Sequence, residues 1–468
     1  MLTEELTVQS CLARPLELVV ERMVASFATS DVVSSMVSRG PVFPYHSEVI
    51  SQQMASAGWC PAELRAMSDS FTGLELWRLS FLEVPHIGMN HSKCTSSGKC
   101  TAYNIVGTYV TKHDYENDPS CSCEFVYASH DELAKILLSP GDAIPLIQTS
   151  TPKRGRDKRL YVSLVPSKTK SQPKNIDWTA ISHVWSDGLG NNKENAIPLC
   201  QFDRLCRLTS ALPVSRRTGS SPFWLDTLCF PLQPKAAYDK ALVRMKECYE
   251  DAKAVLVLDH YLLGAYARGG RMSMTEVMAR IIISPWNRRL WTWQEAYLAH
   301  RRHLFFQFKD ITICDEDILD AADGRWVTKV EHFLDFAMSQ GFHSRFQDIR
   351  DRNDRMSIMD KIAKSKNSLT FRSTSVAPDE ALALSNILGI NTAVILNCKH
   401  QKDWMLTFWK HVTSKGHYHA SMIFWDGPRQ GLPLGTCDIY GREQDISATE
   451  MGPPRPSRHG NIHSRLAC

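Results

Sequence analysis

The sequence predicts an α/β protein built on a parallel sheet flanked by helices, and three observations over residues 177–310 predict it. Short β-rich runs alternate with amphipathic segments along this stretch. One run, KAVLVLD at 253–259, is continuously apolar, as is typical of a strand buried on both faces. Turn-forming residues follow another run, in SDGLGNN at 186–192. Such alternation is the pattern of βαβ units.

The individual elements follow from local patterns. Within KAAYDKALVRMKECYEDA at 235–252, apolar side chains recur every three or four residues, which places them on one face of a helix. β-Branched and aromatic residues mark the strand-like runs. The pattern predicts strands at 179–185, 223–229, 253–259 and 303–308, and helices at 235–252, 273–283 and 288–299.

The chain of 468 residues divides into regions of different character. Outside the central α/β domain we expect a mainly helical N-terminal region that contains a Cys/His-rich stretch, and a mixed, mostly helical C-terminal region. The predicted boundaries are 1–148 for the N-terminal region, 149–176 for a basic linker with one short strand (LYVSLV), 177–310 for the central domain, 311–450 for the C-terminal region and 451–468 for a disordered tail.

Composition and charge disfavour several classes of protein. The chain has 43% hydrophobic and 22% charged residues and a net charge of +4, which is ordinary for a globular protein and indicates no nucleic-acid partner. No apolar run reaches the roughly 18 residues of a transmembrane helix, and the N-terminus lacks the apolar core of a signal peptide. We therefore expect a cytoplasmic, non-secreted protein without a membrane span. Its 14 cysteines are then thiols or metal ligands rather than disulfides.

Cysteine and histidine residues are concentrated in one stretch of the N-terminal region. Zinc takes four nitrogen or sulfur ligands in a tetrahedron, so this stretch is a candidate structural zinc site. Its spacing matches no standard finger, and scattered thiols in a loop-rich domain are the alternative. The candidate ligands are His91, Cys94, Cys100, His113, Cys121 and Cys123.

Four blocks, in order, carry a resemblance to a known family. They are AISHVWSDGLGN at 180–191, FWLDTLC at 223–229, YDKALVRMKECYEDAKAVLVLD at 238–259 and SPWNRRLWTWQEAYLA at 284–299. They resemble the blocks of the fungal heterokaryon-incompatibility (HET) domain. The matching positions are Ser182, Trp185, Trp224, Asp226, Cys229, Met245, Tyr249, Ala252, Trp286, Arg289, Trp291, Gln294 and Glu295. One departure is Phe230-Pro231, where many members have Ile-Asn-Gln.

The HET domain is similar in turn to TIR domains, which implies a flavodoxin-like, TIR-like sheet. The segment SPWNRRLWTWQE resembles the TIR helix that ends in W-x-x-x-E. In catalytic TIR domains this glutamate is needed to cleave the glycosidic bond of NAD. The resemblance therefore implies that Glu295 is catalytic, with Trp291 as its helical neighbour and NAD as the substrate. The alternative is a core helix in which Glu295 meets an arginine such as Arg289.

Other polar residues of these blocks are candidate ligand contacts. Gly188 and Gly190 permit a phosphate to approach the backbone closely, or they simply form a tight turn. Asp226 is either a structural partner for Arg289 or for backbone N–H groups, or a polar group at the ligand-binding edge of the sheet. The candidate ligand-binding set is Ser182, Trp185, Asp187, Gly188, Gly190, Asn191, Asp226 and Arg289.

A serine or cysteine hydrolase is not favoured. Ser182 and His183 are adjacent in a predicted strand, so their side chains point to opposite faces and cannot bond to each other. The blocks also lack a G-x-S-x-G elbow. Cys229 is expected to be a buried structural cysteine rather than a nucleophile.

Three functions are compatible with these observations. The HET resemblance implies an effector or regulator of self/non-self recognition and programmed cell death, which would act through self-assembly or a trigger protein. The TIR similarity adds an NAD glycohydrolase that uses Glu295. The Cys/His-rich stretch is compatible with a zinc-stabilised interaction protein without catalysis.

Overall fold

The computed structural model describes residues 44–414, except for 86–88, 95–99, 105–108, 110, 115–118, 170–175, 216–220, 271, 301 and most of 323–371, where only 342, 345, 346 and 361 are described. The predicted tail at 451–468 lies outside the described residues. Among the described residues, no helix is long and apolar enough to cross a membrane.

The strands, numbered in chain order, are β1 (Phe125–Tyr127), β2 (Pro145–Ile147), β3 (Lys153–Arg154), β4 (Leu160–Tyr161), β5 (Leu164–Pro166), β6 (Thr179–His183), β7 (Ala196–Pro198), β8 (Phe223–Trp224), β9 (Ala254–Leu258), β10 (Leu304–Gln307) and β11 (Thr312–Cys314). The helices are α1 (Pro44–Ser56), α2 (Pro61–Ser70), α3 (Gly73–Leu79), α4 (His130–Leu138), α5 (Leu199–Ala211), α6 (Asp226–Cys229), α7 (Lys235–Glu250), α8 (His260–Leu263), α9 (Met274–Ile283), α10 (Leu290–Leu298), α11 (Asp315–Ala322), α12 (Asp379–Leu388), α13 (Thr392–Leu396) and α14 (Trp404–Ser414).

A seven-stranded mixed sheet forms the centre of the fold, in the order β11-β10-β9-β6-β8-β2-β5. Its middle strands β10, β9, β6 and β8 pair in parallel, whereas β11, β2 and β5 run antiparallel to their neighbours. In the central pair, Ser182 lies opposite Val257. A smaller four-stranded sheet has the order β3-β4-β1-β7. The α/β prediction is therefore confirmed, with a mixed rather than a wholly parallel sheet.

The apolar runs explain why these strands are central. Every residue of β6 and β9 is buried, as expected for strands covered on both faces. Helix α10 packs against β6 and against α7 and α12. One hydrophobic core joins the sheet to helices from both ends of the described chain, because it includes Met54 of α1 and Val412 of α14.

Two predicted strands differ from the structure. The run at 223–229 is a strand only to Trp224, and the chain turns into the short helix α6 at Asp226. The Asp226 carboxylate accepts the N–H of Thr227 at 2.6 Å, a local bond that competes with extension of the strand. The linker run LYVSLV is not one strand. Its residues form β4 in the smaller sheet and β5 in the larger one.

Candidate functional site

The carboxyl ends of β6 and β9 lie side by side at the centre of the larger sheet. From β6 the chain continues to β8 on one side, and it then reaches β9 and β10 on the other. In open α/β sheets, ligands bind beyond the carboxyl ends of strands where the connections diverge in this way. His183 ends β6 and Asp259 directly follows β9, so these residues mark the edge at which the fold favours a ligand.

Glu295 reaches this edge from α10. Its carboxylate accepts the hydroxyl of Ser182, and the Ser182 oxygen accepts the indole N–H of Trp286 at 2.7 Å. The Tyr249 hydroxyl, which donates to the Ile181 carbonyl at 3.4 Å, also acts to lower the pKa of Glu295. Glu295 is only 8% exposed, and burial raises the pKa of its carboxyl group to about 7. The carboxyl group therefore changes protonation near neutral pH, within a set of buried polar partners.

His183, which is buried, and Asp226, whose side chain is 23% exposed, form a pair on the other side of β6. The Nε2 atom of His183 lies 2.8 Å from Asp226 Oδ1, and Trp185 donates its indole N–H to Oδ2 at 2.7 Å. Burial opposes charge on both groups, but their mutual attraction prevails. It raises the pKa of His183 and, with the hydrogen bonds from Trp185 and Thr227, lowers the pKa of Asp226. The structural partners of Asp226 are thus His183, Trp185 and a backbone N–H group.

Asp259, which is buried, and Asp187, which is partly buried, add two more carboxyl groups to the same edge. Asp187 accepts the N–H of His260 at 2.9 Å, and Asp259 accepts the N–H groups of Leu262 and Trp286. Burial raises the pKa of Asp187 to about 6. Burial and the nearby Asp187 charge raise the pKa of Asp259 to about 7. Such a concentration of perturbed carboxyl groups is more common at functional sites than elsewhere.

Arg289 supplies positive charge near these groups. Burial lowers the pKa of its guanidinium group, while Asp187, Asp379 and Glu295 oppose that shift. Its Nη1 atom lies 3.4 Å from the Tyr103 carbonyl oxygen. Trp291, the predicted neighbour of Glu295, instead donates its indole N–H to Asp379 at 3.3 Å. Arg289 therefore places positive charge beside these carboxyl groups. Among the described contacts, it makes no hydrogen bond to Glu295.

The SDGLGNN loop is packed against residues that precede the central domain. Lys112 donates its N–H to the Gly188 carbonyl at 2.9 Å, and Thr111 donates its hydroxyl to the Gly190 carbonyl at 2.7 Å. The Tyr109 hydroxyl donates to the Trp185 carbonyl and accepts the Gly190 N–H. Tyr103 and Asn104, from the same part of the chain, contact Arg289. We call these five residues the covering residues: Tyr103, Asn104, Tyr109, Thr111 and Lys112.

The glycines of the loop are required by this close packing. Gly188 has a φ of +118°, and a Cβ atom there would lie 2.7 Å from Lys112 Cβ. A Cβ atom on Gly190 would lie 2.6 Å from the Trp185 ring. Asn191 accepts the N–H groups of Lys193 and Glu194 and so stabilises the turn. In this structure the loop contacts protein at each of these positions.

The six candidate metal ligands separate into two groups, and each group gains a cysteine from elsewhere in the chain. In each group the ligand atoms all lie within 4.8 Å of one another. Both are candidate metal centres, whereas one site was predicted from the sequence. We name them the Cys60 cluster (Cys60, His91, Cys94 and Cys100) and the Cys200 cluster (His113, Cys121, Cys123 and Cys200).

Sequence reasoning missed Cys60, Cys200 and Asp259. Cys60 precedes α2, and Cys200 lies in the first turn of α5, far along the chain from the other ligands. No local spacing connects them to the Cys/His-rich stretch. Asp259 could have been predicted from the sequence, because it is the polar residue that ends the buried run KAVLVLD and so lies at the carboxyl end of a central strand. Cys229 is buried, as predicted, and burial raises the pKa of its thiol.

Comparison with known proteins gives one match. Residues 178–261 match the family model described as "Heterokaryon incompatibility protein (HET)". No curated protein and no solved structure matches the chain. The HET resemblance inferred from the sequence blocks is therefore confirmed for this segment.

Proposed function

We propose that this chain, which carries a HET domain at residues 178–261, is an effector or regulator of heterokaryon incompatibility whose activation promotes programmed cell death. The proposal rests on one observation: the segment that matches the family contains much of the candidate site. The matched segment contains β6, β8 and β9 and therefore includes His183, Asp187, Asp226 and Asp259. We call the set His183, Asp187, Asp226, Asp259 and Glu295 the polar edge; its first four residues lie in the matched segment, and Glu295 follows it on α10.

The strand order supports a flavodoxin-like or TIR-like arrangement for this segment. Numbered along the chain, the parallel strands β6, β8, β9 and β10 lie in the order 2-1-3-4. The flavodoxin-like order begins in the same way and binds its ligand between the first and third strands. In this chain that position lies between His183 and Asp259.

The burial of several ionisable groups at the polar edge supports a functional rather than a purely structural role. The edge buries Glu295 and Asp259 and partly buries Asp187, although burial raises the pKa of each carboxyl group. The Nδ1 atom of His183 is also buried and has no hydrogen-bond partner among the described residues. An apolar core would avoid these desolvation costs. We propose that the edge changes state when the protein self-assembles or meets a trigger protein.

A pairing assay in a filamentous fungus tests the signalling role. The full chain is expressed from an inducible promoter in one strain, which is then allowed to fuse with strains that carry or lack the same gene. We expect induction to reduce the survival of fused cells, and the loss to depend on the partner strain or on the expression level. Unchanged survival in every pairing, with the protein present at high abundance, would contradict the proposal.

A second candidate function is an NAD glycohydrolase of the TIR type. Glu295 favours it, because its carboxyl group titrates near pH 7 at the edge where a ligand is expected. In the reaction, the bond between ribose C1′ and the nicotinamide nitrogen breaks and water adds at C1′. The products are nicotinamide, ADP-ribose and a proton. Glu295 would stabilise the positive charge that develops on the ribose, as carboxylates do in glycosidases.

Nicotinamide release by the purified full chain tests this second function. The assay compares wild type with Glu295→Gln at high protein concentration, so that assembly can occur. Glu194→Gln is the matched control, because Glu194 is a more exposed carboxylate that pairs with Arg159. Release by wild type and the control, but not by Glu295→Gln, supports the enzyme. Equal release by Glu295→Gln, or no release by any folded form, argues against it.

A further inference from the structure

We propose that the Cys60 and Cys200 clusters each bind a zinc ion through three thiolates and one imidazole, and that the two ions hold the covering residues on the carboxyl edge of the sheet. This inference does not depend on the proposed signalling or enzymatic function. It rests on the geometry of the two clusters and on where their ligands lie in the chain.

The Cys200 cluster has the dimensions of a tetrahedral zinc site. Three sulfur atoms lie at similar distances from one nitrogen. The Sγ atoms of Cys121, Cys123 and Cys200 are 3.6, 3.4 and 3.7 Å from His113 Nδ1, respectively. Zinc bonds of about 2.3 Å to sulfur and about 2.0–2.1 Å to nitrogen, at tetrahedral angles, place these atoms about 3.6 Å apart. The observed separations therefore leave a central position suited to one zinc ion.

The Cys60 cluster has the same dimensions. Cys94 and Cys100 Sγ lie 3.6 and 3.7 Å from His91 Nδ1. The two sulfur atoms are 4.0 Å apart, close to the roughly 3.8 Å expected between two zinc-bound sulfurs and far from the roughly 2.05 Å of a disulfide. Cys60 completes the group, with its ligand atom within 4.8 Å of the others.

Backbone groups support thiolates in both clusters. Thr101 directs its N–H to Cys94 Sγ at 3.3 Å, and Asp114 directs its N–H to Cys200 Sγ at 3.2 Å. The Cys200 N–H in turn points to Cys123 Sγ at 3.3 Å. Such donors stabilise negative charge on metal-bound sulfur and orient the ligands. Three thiolates and an imidazole are a soft donor set that favours zinc over magnesium or calcium.

The ligands lie at both ends of the covering residues. Cys100 of the Cys60 cluster precedes Tyr103, and His113 of the Cys200 cluster directly follows Lys112. Between these ligands, Tyr103 and Asn104 contact Arg289. The Gly188 and Gly190 carbonyls accept hydrogen bonds from Lys112 and Thr111. The two metal sites therefore restrain the covering residues from both sides in the chain.

The Cys200 cluster also connects two parts of the chain. Cys200 belongs to α5, within the matched HET segment, whereas its fellow ligands precede that segment by many residues. Zinc bound there would tie His113, Cys121 and Cys123 to the HET segment. Loss of the metal would release this tie and allow the covering residues to leave the edge.

Metal content of the full chain, purified under reducing conditions without chelators, tests the sites. We expect two zinc ions per wild-type chain, and one in each of Cys60→Ser and Cys200→Ser. Cys206→Ser, one to two turns further along α5, and Cys398→Ser are matched controls that should retain two ions. Less than one zinc per folded wild-type chain, or unchanged content in the two ligand variants, would overturn the proposal.

X-ray absorption at the zinc edge tests the sites without any substitution, in case the variants do not fold. We expect an average of three sulfur ligands at about 2.3 Å and one nitrogen at about 2.0 Å. Coordination by oxygen and nitrogen alone would identify adventitious zinc and overturn the proposal.

Hydrogen exchange tests the restraint on the covering residues. The amides of Lys112 and Gly190 bond to Gly188 and Tyr109, respectively. Removal of zinc by a chelator should accelerate exchange at both amides, while the amide of Leu256 in β9 should exchange as slowly as before. Zinc removal without faster exchange at Lys112 and Gly190 would overturn the restraint.

Discussion

The Ser182 hydroxyl donates a hydrogen bond to the Glu295 carboxylate, although the two residues are 113 positions apart in the sequence. Ser182 lies on the central strand, and Glu295 comes from α10, which packs against it. The neighbouring His183 faces Asp226 instead. This alternation follows from the two-residue period of a strand and rules out a hydrogen bond between the Ser182 and His183 side chains.

Replacement of Glu295 by glutamine should stabilise the protein at alkaline pH. Burial raises the pKa of Glu295 from 4.5 to about 7, so the folded state binds more protons than the unfolded state between these values. The carboxyl group therefore reduces the free energy of unfolding progressively from about pH 4.5 to pH 7, by up to ~3 kcal/mol. Glu295→Gln removes this penalty. Thermal unfolding of both proteins at pH 8 and pH 5 measures the effect.

The variant should have the higher melting temperature at pH 8, and the difference should shrink toward pH 5. Glu194→Gln should show no such trend, because Glu194 is more exposed. A Glu295→Gln variant that is less stable than wild type by the same amount at both pH values would mean that the carboxylate serves packing alone.

Replacement of Asp226 by asparagine should destabilise the fold. Asp226 accepts hydrogen bonds from Trp185 and the Thr227 N–H and pairs with His183. An amide has one acceptor oxygen, so its NH₂ group would face a donor. We expect a loss of roughly 2–4 kcal/mol in the free energy of unfolding, measured by urea denaturation at pH 7.

Asp239→Asn is the matched control for this loss. Asp239 pairs with Lys235 on the surface of α7, with side chains 39% and 84% exposed. Exposed pairs contribute little to stability, so this variant should unfold like wild type. Equal unfolding curves for the two variants would contradict a structural role for the His183–Asp226 pair.

Replacement of Gly190 by alanine should strain the covered loop. The new Cβ atom would lie 2.6 Å from the Trp185 ring, a separation that forces the ring or the loop to move. Overpacking of this kind costs about 1–3 kcal/mol. In the control, Gly264→Ala, the nearest atom to the new Cβ is 3.6 Å away. Calorimetry should show a lower melting temperature for Gly190→Ala alone, and equal values would refute the close packing.

The sequence predicted the centre of the fold well, because local pattern and burial agree there. AVLVL of β9 is wholly apolar, TAISH of β6 begins with three apolar or β-branched residues, and both are buried strands. The same reasoning extended the strand after Trp224 too far. Asp226 bonds to the Thr227 backbone in the first turn of α6, and the apolar residues beyond it do not reveal this local turn.

The sequence predicted residues of the candidate site only within the HET blocks. Ser182, Asp226 and Glu295 stand in the HET blocks, and the structure brings them to one edge of the sheet. The metal clusters required contacts between distant segments. Cys60 and Cys200 join their clusters through the packing of α2 and α5, which no spacing in the sequence encodes.

Survival of fungal cells that express Glu295→Gln is the first experiment to make, because it asks whether the proposed signal depends on the polar edge of the sheet. Wild type, Glu295→Gln and the control Glu194→Gln are induced in the same strain to equal protein abundance, and viable cells are counted. We expect wild type and Glu194→Gln to reduce viability and Glu295→Gln to leave it unchanged. Equal killing by Glu295→Gln would show that the signal does not depend on this site and would contradict the account.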